Sequence, residues 1–305
     1  MPRLPDVSFV RFPPRWRTVL VPVAPLEATT LGMSMYTASK PVPILAQRAV
    51  HALALVSRGR LIPGARTRWE VPVDGEYWRD MWRQWTATVR PPITGIAVYE
   101  RAQQSRSGLT LMLCAGRDSV LIRVRPEPLQ FDLEQDVSDA ADDHGPATFR
   151  VPRIVARGQA GPWHWIAHEA MATRPHLPAT RVSDQLCAEV STVVEAVVPR
   201  PAGTPAHWRG AHGDLTPWNL RRVGRQLWLI DWEDACWAPP GADAVYFTAT
   251  RAALHGERPT WRAEQVEAVR YWADVVAARS AERAELRMRN RLLAALHVPA
   301  HRAAR

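Results

Sequence analysis

Between residues 212 and 235, two carboxylates and a side-chain amide fall close together in an otherwise apolar part of the chain. Asp214 and Asn219 stand five apart in HGDLTPWNL (212–220), and Asp231 closes the apolar run in LWLIDWEDA (227–235). A loop and an adjacent strand end can bring three such side chains to one point. Hard oxygen donors of this kind suit Mg²⁺, and one carboxylate can instead accept the proton of an attacking hydroxyl. Phosphoryl transfer needs these two parts, a base for the nucleophile and oxygen ligands for a metal that bridges phosphates. The same residues also suit plain turns, since Asp before Thr-Pro starts a turn and Asn often ends a loop. What favours chemistry is the order: His-Gly, then Asp, then Asn, then an Asp ending an apolar strand 12 residues later.

The elements that must hold these residues can be read from periodicity. VGRQ (223–226) predicts a turn between two strands, so that Asp231 ends the second of them. Before the motif, Val182, Leu186, Val190, Val193, Val194 and Val197 recur on one helical face. After it, helices are predicted from Ala242 to Ala295. Upstream, ITGIAVYER (93–101), LTLMLCAG (109–116) and SVLIRVRP (119–126) read as three strands, with GRDS as a tight turn between the last two. FDLEQDVSDAADD (131–143) reads as a short acidic helix, and RVPRIVARG and WHWIAHEAM (163–171) as two more strands. The expectation is a small, mostly antiparallel sheet carrying one helix, followed by a helix-rich part.

Residues 1–90 carry weaker signals. RTVLVPVAPL (17–26) reads as a short strand with prolines, and VPILAQRAVHALALV (42–56) as a buried helix. In EYWRDMWRQWTATV (76–89), Tyr77, Met81, Trp85 and Val89 mark an apolar helical face.

Composition narrows the class. The chain has 305 residues, enough for one large domain or two lobes, and 47% hydrophobic residues supply a sizeable core. The net charge of +9 is almost all arginine, Lys40 being the only lysine. The basic residues alternate with acidic ones and form no long run, so a nucleic-acid partner is not expected. Cys114, Cys187 and Cys236 are far apart and odd in number, which indicates neither a disulfide framework nor a zinc site and fits a reducing cytoplasm. No apolar stretch is long enough for a membrane span, and the N-terminus lacks an uninterrupted apolar signal region.

HGDLTPWN and IDWEDA together resemble the aminoglycoside phosphotransferase and choline-kinase-related family of the protein-kinase-like superfamily, over roughly residues 93–295. The first matches its catalytic loop, His-Gly-Asp-x-x-x-x-Asn, and the second its metal-binding strand end. The resemblance implies an α+β, two-lobed, protein-kinase-like fold: a small antiparallel-sheet lobe over 91–173 and a larger helical lobe over 174–305. Residues 1–90 would be an extra segment packing on the small lobe. It implies ATP and Mg²⁺ as cofactors, Asp214 as catalytic base, Asn219 and Asp231 as Mg²⁺ ligands, and His212 as the residue that orients the loop. Asp234 fits either a role beside the metal or a solvated turn. Asp243 would cap the next helix or bond to the catalytic loop. HEAM (168–171) would link the lobes, with backbone groups of Ala170 and Met171 holding the adenine.

The chain departs from the family pattern at the nucleotide grip. The usual phosphate-binding lysine of the third strand is replaced by Arg123, whose forked guanidinium is no conservative substitute but can pair with phosphate. Glu134 is the only Glu in the acidic helix and so the expected partner of Arg123. AQQSRSG (102–108) would cover the phosphates with a single glycine, and Pro239 replaces the first Asp of the family's Asp-Pro-x-x-Asp segment. The reading is a cytoplasmic, ATP- and Mg²⁺-dependent kinase of a hydroxyl on a neutral or acidic, sugar-like small molecule, with no nucleic-acid or membrane partner. The alternative is a catalytically weak, kinase-like nucleotide-binding or regulatory protein.

Overall fold

The computed structural model describes residues 7–13, 19–89, 93–100, 108–126, 129–171, 176–279 and 285–297. Two compact units divide the chain. The first comprises Met1–Phe131 and Pro152–Leu177, and the second Asp132–Val151 and Pro178–Arg305.

The first unit is built on an eight-stranded antiparallel sheet. Its strands are β1 (Phe9–Phe12), β2 (Val19–Pro22), β3 (Arg66–Thr67), β4 (Gly95–Tyr99), β5 (Leu109–Cys114), β6 (Val120–Arg125), β7 (Ile154–Ala160) and β8 (Trp163–Glu169), in the order β3-β1-β2-β4-β5-β6-β8-β7. The five strands expected from 93 to 171 are there, and three more come from the first seventy residues. β1 and β2 are four residues each, too short to show an alternating pattern, and β2 joins the sheet by pairing with β4. The sheet is therefore wider than expected, and residues 1–90 supply part of it along with three helices, α1 (Leu26–Ser34), α2 (Pro41–Val56) and α3 (Gly75–Thr88).

On one sheet face, α3 packs Trp78, Met81 and Trp85 against Ile96, Leu111, Ile122 and Trp165. Trp85 meets Trp165 edge-to-face with ring centroids 6.4 Å apart, and Gln84 ties the helix to the sheet through bonds to the Trp165 indole and the Gln159 carbonyl. The α2 segment corrects the expectation of a buried helix. Only Gln47, His51 and Ala54 are buried, while Val42 and Val56 are 76% and 86% exposed. The packed face is held by Gln47, His51 and Ala54 together with the half-buried Val50, and the apolar residues of the opposite face stay exposed.

The second unit begins inside α4 (Leu129–His144). The acidic helix expected to ride on the sheet buries Val137, Ala140 and Ala141 in the core of this unit, beside Val190, Leu215, Leu229 and Trp232. That core also receives Leu186, Val193 and Val194 of α5 (Asp184–Val197), whose Ser183 N-cap accepts the Leu186 N–H at 3.1 Å. β9 (Leu177–Pro178) leads in, and the Ala179 N–H donates to the Leu220 carbonyl. Two short strand pairs follow: β10 (Arg209–Ala211) with β13 (Cys236–Ala238), and β11 (Leu220–Val223) with β12 (Gln226–Leu229). The β11–β12 turn is the expected one, closed by Gly224 at φ +61°. Helices α6 (Ala242–His255), α7 (Val266–Ala278) and α8 (Leu286–Ala295) form a second apolar cluster around Trp272, whose indole donates to the Ala242 carbonyl at 2.8 Å. Among the described residues no helix is long and apolar enough to cross a membrane.

Candidate active site

Two loops of the second unit are held side by side by the strands that flank them. Residues 212–219 run from β10 to β11, and residues 230–235 run from β12 to β13. β10 pairs with β13 and β11 with β12, so each loop is tied to the other at both ends, with Ala211 opposite Cys236 and Leu220 opposite Leu229. Between those ends, the Ile230 N–H donates to the Asn219 carbonyl at 3.1 Å.

His212 is fully buried. Its Nε2 lies 3.1 Å from the Ile230 carbonyl, which can only accept, so Nε2 carries the proton and Nδ1 accepts the Asp214 N–H at 3.2 Å. Burial pushes the imidazole down to about 4, so the ring is neutral at physiological pH. It packs on Trp232, ring centroids 4.5 Å apart. Gly213 has φ +78°, and a Cβ there would run into the carbonyl oxygen of Asp234. Only glycine meets both demands, the left-handed backbone and the close approach of the second loop.

Leu215 is fully buried and anchors the loop in the core. Thr216 and Pro217 turn the chain, and the Asn219 N–H returns to the Thr216 carbonyl at 3.1 Å. That turn aims the Asn219 amide at Asp214: Nδ2 donates to the carboxylate Oδ2 at 2.8 Å and to the Asp214 carbonyl at 3.0 Å. Arg221, also fully buried, braces the turn by donating to the Pro217 carbonyl at 3.0 Å.

Asp231 has φ +69°, a left-handed conformation in which Asp is better tolerated than most residues and which clusters at functional sites. Its carboxylate shares a small volume with those of Glu134 and Glu233, oxygen atoms all within 4.8 Å. Burial, then the charges of Asp231 and Asp234, push the half-buried Asp214 up to about 8, against the Arg279 charge and the Asn219 hydrogen bond. So many carboxylates crowded together repel one another unless a cation is present. An all-oxygen donor set of this kind fits a hard dication such as Mg²⁺. Asp234 has a cation beside it, Arg279 Nη2 at 3.7 Å.

Asp243, in the first turn of α6, ties that helix to the loop by accepting the His212 N–H at 2.9 Å. Burial pushes its carboxyl up to about 6, opposed by hydrogen bonds from the His212 and Gly213 N–H groups. Asp243→Ala should leave two buried donors without an acceptor, at about 1–3 kcal/mol each in the worst case. Denaturant unfolding should show a loss of about that size, with kcat reduced because the loop is no longer held. Unchanged stability would mean that the loop is held by its strand ends alone.

The structure brings His212, Asp214, Asn219, Asp231 and Glu134 together within the second unit. Arg123, Ala170 and Met171 belong to the first. Arg123 is buried on β6, between Ile122 and Val124 in sequence and opposite Thr110 and Ile166 in the sheet. Ala170 and Met171 follow β8 and are half-buried, and the Ala170 N–H already donates to the Ser119 carbonyl at 3.1 Å. The expected phosphate-covering loop lies, apart from Gly108, outside the described residues. Sequence reading missed Glu233, Arg221 and Arg279. Neither arginine had a sequence signal: Arg221 stands next to Arg222 on a short strand with nothing to tell which is buried, and the place of Arg279 beside Asp234 comes from the packing of α7.

The segment that carries both loops defines the class of protein. Residues 162–289, the segment that holds both loops, match the model of the phosphotransferase enzyme family, APH. The protein is accordingly a phosphotransferase enzyme by class. No curated protein sequence matches the chain. Among solved structures, a candidate aminoglycoside phosphotransferase from Ralstonia eutropha is 14% identical, with a TM-score of 0.47, covering 73% of this chain and 96% of its own. A spectinomycin phosphotransferase in complex with ADP and spectinomycin is 10% identical, with a TM-score of 0.47, covering 73% and 94%. A candidate fructosamine-3-kinase from Haemophilus somnus is 10% identical, with a TM-score of 0.43, covering 71% and 99%. Similarity at this level carries no residue roles, which rest on the site itself.

Proposed function

We propose that the protein is a cytoplasmic, ATP- and Mg²⁺-dependent kinase that phosphorylates a hydroxyl of a neutral or acidic, sugar-like small molecule. The observation that carries this reading is the Asp214 carboxylate, held at 2.8 Å by Asn219 in a loop tied strand by strand to the one bearing Asp231. In this reading Asp214 receives the proton of the acceptor hydroxyl. Asn219 and Asp231 would hold Mg²⁺, and Glu134 and Glu233 stand close enough to Asp231 to contribute oxygens. Bound Mg²⁺ would supply neutralisation of the phosphate charge. His212 is a positioning residue: both ring nitrogens are engaged by backbone groups, which leaves neither available for proton transfer. Residues 91–173 would bind the nucleotide and residues 174–305 would carry the catalytic loops, with residues 1–90 as an addition to the former. Arg123 would pair with the phosphates, and the Ala170 carbonyl and Met171 backbone would face the adenine.

The acceptor class follows from charge. A site for a polycation needs surplus carboxylates, whereas residues 251–305 hold eleven arginines against six acids, a balance of +5. Arg279, beside Asp234, brings one of those cations to the loops themselves. A coupled assay with Mg²⁺ and ATP over sugars, other hydroxylated metabolites and amino alcohols should find turnover on a neutral or acidic acceptor. Efficient phosphorylation of kanamycin-type compounds, with affinity falling steeply on adding salt, would overturn the acceptor assignment.

The replacement of lysine by Arg123 favours the second reading, a kinase-like nucleotide-binding protein without strong turnover. Arg123→Ala should weaken ATP binding, and Arg123→Lys should weaken it less or improve it, because lysine keeps the charge but not the fork. ATP titration of the two variants decides. Parent-like binding by both removes Arg123 from the nucleotide site.

A further inference from the structure

We propose that α2 is a self-association surface, through which two copies of this chain pair their α2 helices antiparallel about a two-fold axis at Ala49. The inner face of the helix is fully used. Gln47 Nε2 donates to the Met33 and Tyr36 carbonyls, both at 2.8 Å, and His51 and Ala54 are buried. The outer face carries Val42, Leu45, Ala46, Ala49, Ala52, Leu53 and Val56, all exposed. No charged or polar residue interrupts them, and their 3–1–3–3–1–3 spacing keeps them in one stripe with the heptad period of paired helices.

What selects a second copy as the partner is the symmetry of the stripe. Counted outward from Ala49, positions three away are Ala46 and Ala52, four away Leu45 and Leu53, and seven away Val42 and Val56. Every residue matches its counterpart. A two-fold interface is isologous: if residue i meets j of the partner, j meets i. An antiparallel pair centred on Ala49 therefore sets Val against Val, Leu beside Leu and Ala on Ala at the axis, where the small side chains let the helices approach within the usual 8–10 Å or closer. A different protein would place no such demand on the stripe. With Leu45 66% and Leu53 41% exposed beside the two valines, the stripe offers on the order of 500 Å² per copy, near the lower bound of about 1,000 Å² in total for a specific interface.

Sedimentation of the full chain across a concentration series tests this. The expected result is a reversible dimer whose dissociation constant rises at least tenfold in Leu45→Glu and in Leu53→Glu with no change in melting temperature. Ala49→Cys with a short bismaleimide cross-linker should yield a covalent dimer that the parent, with its own three cysteines, does not give. A chain that stays monomeric at high micromolar concentration overturns the proposal, including one that instead binds lipid vesicles through these residues. So does a dimer that survives both glutamate variants, or an Ala49→Cys protein that cross-links no better than the parent.

Discussion

Asp214→Asn should reduce kcat by about 10²- to 10⁴-fold, the range that a positioned general base contributes, while the protein stays folded. Asparagine has nearly the same shape and keeps an oxygen for the Asn219 amide, which reaches the present carboxylate at 2.8 Å. It has no site for the hydroxyl proton. The fold should not merely survive. Burial and the neighbouring charges of Asp231 and Asp234 raise the Asp214 carboxyl from its ordinary 3.8 to about 8. A group whose folded pKa lies above its unfolded value stabilises the fold below the lower value and loses that contribution as pH rises through the upper one. Without metal, the parent should therefore lose stability between pH 4 and 8 through this residue, and Asp214→Asn should not. Turnover and metal-free melting curves across that range check both halves. Near-normal turnover in the variant would remove Asp214 from the role of base.

The second large effect is expected at Asp231. Asp231→Ala takes a carboxylate from the all-oxygen cluster that includes Glu134 and Glu233. Mg²⁺-dependent ATP binding should weaken by about 100-fold or more, beyond the 10–100-fold typical of losing an outer-shell partner of a metal. Alanine is also strained at the φ of +69° that Asp231 adopts. Asp231→Asn, which tolerates that backbone and keeps one oxygen, separates loss of the ligand charge from local distortion. ATP titrations at fixed and varied Mg²⁺ provide the measurement. If the Mg²⁺ dependence is the same in all three proteins, the metal is bound elsewhere.

Much of the site was legible because it is local. Asp214 and Asn219 are five residues apart, and a Thr-Pro turn is enough to bring them into contact. Asp231 was legible because an apolar strand ending in a carboxylate predicts where that carboxylate emerges. The hairpin at 223–226, the helix at 184–197 and the strands from 93 to 171 follow from patterns with periods of 2 and 3.6, which depend on neighbours within a turn or two. Asp243 was half legible: its position before a helical run predicts a polar role there, but its bond to the His212 N–H joins residues 31 apart.

The residues that the sequence left ambiguous are those whose environment is made by distant chain. Glu134 was expected to face Arg123 on grounds of element order. What no local pattern announced is that its carboxylate lies beside those of Asp231 and Glu233, where α4 packs into the core of the second unit. Residues 1–90 looked like an addition because four-residue strands carry no periodic signal; pairing with β4 is what makes them part of the sheet. The apolar segment 41–56 has the same composition whether one face is covered or two, and only packing decides that its outer stripe stays exposed. By itself the sequence determined the type of chemistry, since the acids and the amide at their spacings suffice for that. Tertiary structure decided which groups share one electrostatic environment, because burial and charge proximity depend on contacts between residues far apart in the chain.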